Sequence, residues 1–277
     1  MSTTVDTAFI KHYESDVHAS YQRMGSKLRN TVRSKNKIQG STTVFTTVGK
    51  GTASTKARHG KVPVMNASHG TVECQLYDYY AGDWIDALDD LKGNTNERQV
   101  IIDAGAYALG RKTDELIIDA MATATVTVGD YTTGCTKGLL LSAFEALNNA
   151  DVPDDGQRFG VVGAHQWNEL LNMTEFSEST FAGEDYPWLR GTESRKWLGI
   201  VWIMHTGLPL ASTTHRDAFL YHRTAIGHAS GADVKSDVTW HGDRAAFFAN
   251  NMMSQGAALI DNAGIVKIKC DDSAAIS

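Results

Sequence analysis

Side chains that could perform chemistry are few in this sequence and stand far apart. His165 and Glu169 are one helical turn apart, which suits two metal ligands, but no third ligand accompanies them and a surface pair is the simpler interpretation. Asp154 and Asp155 could be paired catalytic carboxylates, yet their Pro-Asp-Asp-Gly context is typical of a turn. The sequence lacks the common phosphate-binding, nucleophile and metal-binding signatures. We therefore expect no enzyme, no cofactor and no metal site.

One enzymatic alternative stays open, a hydrolase that uses the segment 132–235. It would need a concave site that gathers histidines such as His165, His205 or His222. An aromatic patch at 77–84 could instead stack nucleic-acid bases, but its charged neighbours are acids and no cation accompanies it. We expect this patch to serve packing; it consists of Tyr77, Tyr79, Tyr80 and Trp84.

The cysteines and the apolar runs limit the cellular setting. Cys74, Cys135 and Cys270 are too widely spaced for a disulfide framework or a zinc site, so we expect buried or idle thiols. The sequence contains no run of 18 apolar residues, which a membrane-spanning helix would need. Its first residues do not resemble a secretory signal. These features indicate synthesis in the cytoplasm and no membrane partner.

Charge is distributed unevenly along the 277 residues, whose net charge is −6. Residues 1–70 hold eleven Lys and Arg against three acids, which gives +8, and the remainder holds fifteen against twenty-nine, which gives −14. No acid occurs from Val17 to Val72. Such asymmetry predicts an anionic partner, either nucleic acid or the acidic part of another copy of the chain. A nucleic-acid-binding protein that uses residues 20–61 is therefore a second alternative.

Apolar spacing predicts the elements that carry the basic residues. Apolar side chains at steps of three and four over 17–28 predict one short helix in a basic arm. The Ser- and Thr-rich segment 38–65 predicts a long hairpin that turns at Gly49–Gly51. This hairpin has little apolar surface to dock on its own domain, so we expect it to lie on something else.

The rest of the chain alternates between strand and helix patterns. A strand at 72–80 precedes a short helix that Asp83 would cap, and an apolar stripe then predicts a long helix at about 96–124. The mixture over 132–235 predicts an α/β lobe, and 256–270 predicts a hairpin. Within the lobe we expect helices at 136–148 and 164–171 and strands at 158–162, 199–205 and 218–222.

Three stretches carry a resemblance that covers nearly the whole chain: Glu97–Ala120, Arg158–Leu171 and Gly256–Ile268. In order and spacing they resemble the major capsid proteins of tailed bacteriophages, which have the Hong Kong 97-like fold. The resemblance implies an α+β fold with an N-terminal arm, an extended β-hairpin loop, a peripheral domain with a long spine helix, and an α/β axial domain. The implied segments are 1–36 (arm), 37–71 (extended loop), 72–131 (peripheral domain, spine helix about 96–124), 132–235 (axial domain) and 236–277 (return to the peripheral domain).

The function implied by this resemblance is structural. Such a protein self-assembles through hexamers and pentamers into the icosahedral head shell, in the host bacterial cytoplasm, and encloses double-stranded DNA without sequence-specific binding. No leader of domain size precedes the arm, so if scaffolding guides assembly, a separate protein is expected to supply it; portal and decoration proteins are further candidate partners. Some members crosslink their subunits through a loop Lys, for which Lys50 or Lys56 could serve, but no matching acid is found by motif and non-covalent assembly is expected.

In that family the arm and the extended loop lie across neighbouring subunits, which would give the hairpin its missing surface. We therefore expect basic residues of one copy to meet acids of the next. The candidate contact residues are Arg23, Lys27, Arg29, Arg33, Lys50, Lys56, Arg58, Lys61, Asp86, Asp89, Asp90, Glu97, Asp103 and Asp114.

Overall fold

The protein is represented by a computed structural model that describes residues 25–86, 97–177 and 194–274. Most of the predicted arm helix, together with Arg23, Asp89 and Asp90, lies outside these residues, and only the backbone of Glu97 is described. The strands are β1 (Arg33–Asn36), β2 (Thr42–Val48), β3 (His69–Gln75), β4 (Tyr77–Asp86), β5 (Thr127–Val128), β6 (Arg158–Val162), β7 (Ser194–Trp197), β8 (Ile200–Met204), β9 (His215–His222), β10 (Ile226–His241), β11 (Ala246–Leu259) and β12 (Ile265–Asp271). The helices are α1 (Glu97–Ala122), α2 (Lys137–Asn149), α3 (Ala164–Asn172) and α4 (Thr174–Ser177).

The chain divides into two compact units. Of the described residues, the larger unit comprises 26–77, 112–177, 194–232 and 254–274, and the smaller comprises 25, 78–86, 97–111 and 233–253. The predicted organisation into five segments is finer than this division and stays a prediction.

A six-stranded mixed sheet is the centre of the larger unit, in the order β5-β12-β9-β6-β8-β7. Strand β9 is antiparallel to both β12 and β6, and β6 is parallel to β8. Because successive side chains of a strand point to opposite faces, Phe219 and Leu220 enter different cores. Phe219 packs in a cluster with Ile117 and Met121 of α1, whereas Leu220 packs in a cluster with side chains of α2 and α3. The sheet thus combines strands of the segment 132–235 with β5 and β12, which were expected to belong to the peripheral domain.

The helices lie close to their predicted positions. Helix α1 is within two residues of each end of the predicted 96–124 helix. The side chain of Thr136 accepts a hydrogen bond from the Leu139 N–H, and this N-cap begins α2 one residue after the predicted start. Helix α3 follows β6 directly and matches the predicted helix 164–171 to one residue. Regular apolar spacing therefore identified these three helices.

Gly160→Ala is expected to lower the free energy of unfolding by about 1–3 kcal/mol, because it overpacks the core. A Cβ at this position would clash with ring carbons of Trp202, and Trp202 is buried. The control is Gly138→Ala in α2, where a Cβ meets nothing within 4 Å and stability should rise by about 0.5 kcal/mol. Urea unfolding of the unassembled full-length chain measures both changes. Equal stabilities of the two variants would contradict this view of the core.

The hairpin of the extended-loop region differs from the predicted one. Strand β2 pairs antiparallel with β3, with Phe45 opposite Val72, so the predicted tight turn at Gly49–Gly51 is wrong. Residues directly after Gly51 offer no bulky side chains for a return strand, whereas β3 brings Cys74 into the same buried cluster as Phe45. The connection between the strands is therefore long and covers 49–68.

Strand β4 replaces the short helix that Asp83 was expected to cap. The described strand continues through Asp83 to Asp86, with a period-two pattern in which Tyr79 and Ala81 are half-buried and Ile85 is buried. In sheet order β4 lies beside β11, and this long-range pairing replaces the local capping interaction. Leu88 and Leu91 of the predicted helix lie outside the described residues.

The predicted terminal hairpin at 256–270 is also wrong. Strand β12 pairs with β5 and β9 in the six-stranded sheet, whereas β11 belongs to a four-stranded sheet of order β1-β10-β11-β4. The expected loop is a 3₁₀ turn at Asn262–Gly264, which the Asp261 side chain caps by accepting a hydrogen bond from the Ala263 N–H. A turn is therefore present where the sequence predicts one. It connects β11 and β12, which belong to different sheets and do not pair with each other.

Candidate assembly site

The connection between β2 and β3 is the long exposed part of the predicted loop region 37–71, and from here on the name extended loop refers to these residues alone (49–68). Residues 49–66 are all exposed. Even its large apolar side chains are on the surface, with Val62 74%, Val64 81% and Met65 59% exposed. Lys50, Lys56, Arg58 and Lys61 also lie on this loop. A single subunit therefore leaves both the apolar and the cationic side chains of the extended loop in water.

The base of the extended loop is fixed to the larger unit through Phe45. This side chain is fully buried in a cluster with Cys74, Leu76, Ala229 and Ile260. Two cations cover its ring, with Lys35 Nζ 4.8 Å and the Arg33 guanidinium carbon 5.7 Å from the ring centroid. Such cation–π contacts stabilise exposed sites by about 0.5–1 kcal/mol. Phe45 thus anchors the base of the extended loop, whereas residues 49–66 of the loop are exposed to solvent.

Lys50 is the loop cation whose partner the structure shows. Its Nζ lies 2.5 Å from Asp151 Oδ2, between side chains that are 76% and 77% exposed. The hydrogen bond and the charge of Lys50 hold the pKa of Asp151 below its ordinary value. Asp151 was not among the predicted residues, because nothing in the sequence relates two positions so far apart.

The predicted contact acids lie in different environments. Asp86 is exposed on β4, and Asp103 is half-buried and accepts a hydrogen bond from Gln99 Nε2 at 2.9 Å. Asp114 is fully buried inside the larger unit, so its assignment as a contact between subunits is wrong. The helical periodicity that placed Asp114 on a polar face could not show that residues 26–28 and 205 cover that face.

The Asp114 carboxylate is surrounded by hydrogen-bond donors of its own chain. Oδ1 accepts from Ser26 Oγ at 2.5 Å and from the Leu28 N–H at 3.1 Å. Oδ2 accepts from the Lys27 N–H at 3.2 Å and lies 3.0 Å from His205 Nε2. Burial by itself raises the pKa of Asp114, but these hydrogen bonds outweigh it and the pKa is lower than usual. The buried carboxylate is therefore ionised at neutral pH.

The candidate catalytic histidines are engaged separately. His205 Nε2 faces Asp114, whereas His222 Nε2 lies 3.1 Å from Asp155 Oδ1. His165 Nε2 lies 3.1 Å from the Ala274 carbonyl oxygen. Each of these rings is thus bound within a local structural network.

Glu169 has a structural role that the sequence did not reveal. Its Oε1 lies 3.7 Å from His165 Nε2, but its Oε2 accepts the Cys135 N–H at 2.7 Å, next to the start of α2. Because the Glu169 side chain is only 10% exposed, the expected surface pair is in fact largely buried on the glutamate side, and burial raises the pKa of Glu169. Among the described residues, no group of three or more His, Cys, Asp or Glu is arranged to hold a metal ion.

The turn and cysteine predictions agree with the structure, whereas the aromatic patch is packed only in part: Tyr77 and Tyr80 are 52% and 67% exposed, and the Arg244 guanidinium lies 4.4 Å from the Trp84 ring centroid. Asp155 accepts a hydrogen bond from the Gln157 N–H at 3.0 Å, as turn chemistry requires. All three cysteines are free and buried, and burial raises the pKa of the Cys74 thiol to about 11. Trp84 packs against Phe248 at 4.6 Å between ring centroids. No described helix has the length and apolarity required of a membrane span.

Solved structures with a similar fold identify the fold of this chain. A structure from Mycobacterium phage Che8 has 17% sequence identity and a TM-score of 0.74, covering 97% of this chain and 99% of that chain. The capsid structure of Cyanophage P-SCSP1u has 14% identity and a TM-score of 0.76, covering 99% and 96%. The capsid of a native GTA particle has 9% identity and a TM-score of 0.75, covering 97% of each chain. The fold is the Hong Kong 97-like fold of phage capsid proteins, as the resemblance implied.

A comparison of the sequence with known protein families identifies the family of this chain. The sequence profile of a family described as Phage capsid protein matches residues 5–272, so the chain belongs to that family. No match is found among curated proteins.

The protein is a structural, non-enzymatic major capsid protein of a phage head, part of a multimeric shell in the virion capsid. Neither the nucleic-acid-binding alternative nor the hydrolase alternative is favoured.

Proposed function

We propose that this chain assembles through hexamers and pentamers into the icosahedral head shell of a tailed phage, with the extended loop of each copy lying on the next. The exposed loop carries this proposal, because it leaves Val62, Val64 and Met65 unburied in the single subunit. Exposed apolar side chains grouped on one segment are typical of a surface that a partner covers. A head-to-tail interface of this kind closes into rings when the rotation between copies permits.

Charge complementarity supports a second copy as the occupant. The loop contributes Lys56, Arg58 and Lys61, whereas the acids that we propose as their partners include Asp86 and Asp103. Single exposed ion pairs contribute only about 0.2–1 kcal/mol each. The strength of the shell must therefore come from many such pairs together with apolar burial. The other proposed contact residues are Arg23, Lys27, Arg29, Arg33, Lys50, Asp89, Asp90 and Glu97.

The remaining partners are part of the same proposal. Assembly takes place in the bacterial cytoplasm, and scaffolding, portal and decoration proteins are the candidate partners of the shell. The shell encloses double-stranded DNA without reading its sequence. The strong excess of acids after residue 70 suits a surface that must not bind packaged DNA tightly.

Electron microscopy of the expressed full-length chain, alone and with a candidate scaffolding protein, tests the proposal. Closed shells with five-fold and six-fold capsomers are expected. A stable monomer under both conditions, with residues 49–66 protected from protease, would overturn it, because the loop would then be satisfied within its own subunit.

High salt is expected to slow assembly. The Debye length falls from about 10 Å at 0.1 M to about 3 Å at 1 M ionic strength, so attraction between the loop and the acids is screened. We expect the initial assembly rate, measured by light scattering, to fall at least ~10-fold over this range. The control is the neutral variant K56Q/R58Q/K61Q, whose slower assembly should depend little on salt. An equal salt dependence in both proteins would remove the loop cations from the explanation.

A further inference from the structure

The Asp114 site joins three separate parts of the larger unit. Asp114 lies on α1, His205 follows β8, and Ser26, Lys27 and Leu28 belong to the segment that leads out of the arm. An ionised carboxylate offers about four lone-pair positions, and four donors of this site face them: Ser26 Oγ, the N–H groups of Lys27 and Leu28, and His205 Nε2. Three of these four donors belong to residues 26–28, so much of the hydrogen bonding of this buried anion depends on that segment staying in place.

The segment after Ser26 is held by further local contacts. Ser26 Oγ accepts the Arg29 N–H at 3.1 Å, so this hydroxyl connects Asp114 to the following 3₁₀ turn (Arg29–Thr31). The Leu28 side chain is fully buried, and the Thr31 hydroxyl lies 2.5 Å from the Tyr221 hydroxyl. Residues 26–31 are therefore a fixed root from which the preceding chain departs.

His205 fixes the orientation of the carboxylate from the opposite side. The Gly207 N–H donates to His205 Nδ1 at 3.1 Å, so Nδ1 is the acceptor and Nε2 carries the proton that is donated to Asp114. The His205 N–H donates to the Val162 carbonyl at 2.9 Å, which ties this residue to the end of β6. His205 thereby adds a second side-chain connection between the central sheet and the root of the arm, beside the contact of Thr31 with Tyr221.

We propose that Asp114 is the positioning residue that fixes where the basic arm leaves the subunit, and so sets which part of a second copy the arm can reach. This role of the arm rests on the proposed function, but the anchoring of residues 26–28 does not. An asparagine at this position would replace two acceptor positions with two N–H donors, which would face donors already present. A buried unsatisfied donor is costly, so the root should open.

Limited trypsin digestion of the unassembled full-length chain tests the anchor, because Lys27 and Arg29 are themselves cleavage sites. We expect the rate of cleavage after these two residues to be at least ~10-fold higher in Asp114→Asn than in the wild type. Mass spectrometry of the fragments measures this rate. Cleavage after Lys56, Arg58 and Lys61 in the extended loop should keep its wild-type rate, since those sites are exposed already. The matched control is Asp119→Asn, the same change at an exposed position of α1, which should behave as the wild type.

His205 supplies a second pair of variants in case Asp114→Asn does not fold. His205→Gln keeps an N–H donor that can reach Asp114 and should retain slow cleavage at the root, whereas His205→Ala should accelerate it. Unchanged cleavage after Lys27 and Arg29 in both Asp114→Asn and His205→Ala would overturn the proposal. So would an equal acceleration at every site, including Lys267 in the buried sheet, because that reports global unfolding. Failure of the wild-type chain to form shells while the root behaves as expected would overturn only the proposed function.

Discussion

Reversing three charges of the extended loop, in the variant K56E/R58E/K61E, is expected to abolish shell formation and leave the subunit folded. All three side chains are exposed in the single subunit, so the core does not depend on them. If each one forms an exposed pair with a neighbouring copy, reversal changes an attraction of about 0.2–1 kcal/mol into a repulsion of similar size. Over three residues the difference is roughly 1–6 kcal/mol for each interface, and about 1.4 kcal/mol corresponds to a factor of ten in association. This energetic penalty occurs at every interface of a ring of subunits. Even the lower value of about 1 kcal/mol for each interface should therefore prevent the ring from closing.

The matched control for this experiment keeps the charge and changes the shape. K56R/R58K/K61R preserves three cations, and electron microscopy should show shells like those of the wild type. Circular dichroism and the urea midpoint should be the same in all three proteins, which separates assembly from folding. Normal shells from the charge-reversed variant would show that the loop cations do not face acids of a neighbour.

Phe45→Ala is expected to lower the free energy of unfolding of the loop root by about 3–5 kcal/mol, the usual cost of removing a buried phenylalanine. The ring fills a fully buried position beside Cys74, Leu76 and Ile260, and two cations lie over it. Without it the strands β2 and β3 lose the side chain that seats them on the larger unit. The extended loop would then start from an unfixed base, and shells should be lost as well.

Val48→Ala is the control, because Val48 lies on the same strand but is 64% exposed. Its effect on stability should stay within about 0.5 kcal/mol. Hydrogen exchange of the β2 and β3 amides, measured on the unassembled chain, reports directly on the stability of these two strands at the base of the extended loop. Retained protection of these amides in Phe45→Ala would contradict the role given to this ring.

Short-range patterns are sufficient to predict several elements of this fold. The apolar stripe over 96–124 predicts α1, and the Thr136 start and the run 158–162 predict α2 and β6. These predictions succeed because helix periodicity and short apolar runs are properties of residues that are close in sequence. The charge asymmetry likewise depends on composition alone, and it identifies the basic arm and loop as the surfaces to test.

Pairing and burial were decided only by the tertiary structure. A β-strand pattern does not name its partner, so β12 could be expected to pair with β11 when it in fact lies between β5 and β9. Likewise, the polar face of a helix does not show which segment covers it, so Asp114 was expected at an interface and lies in the interior. The sequence by itself determined the local elements, the charge and the resemblance to capsid proteins. Strand order and the environment of each charge depended on contacts between distant residues, whose free energy exists only once the chain has folded.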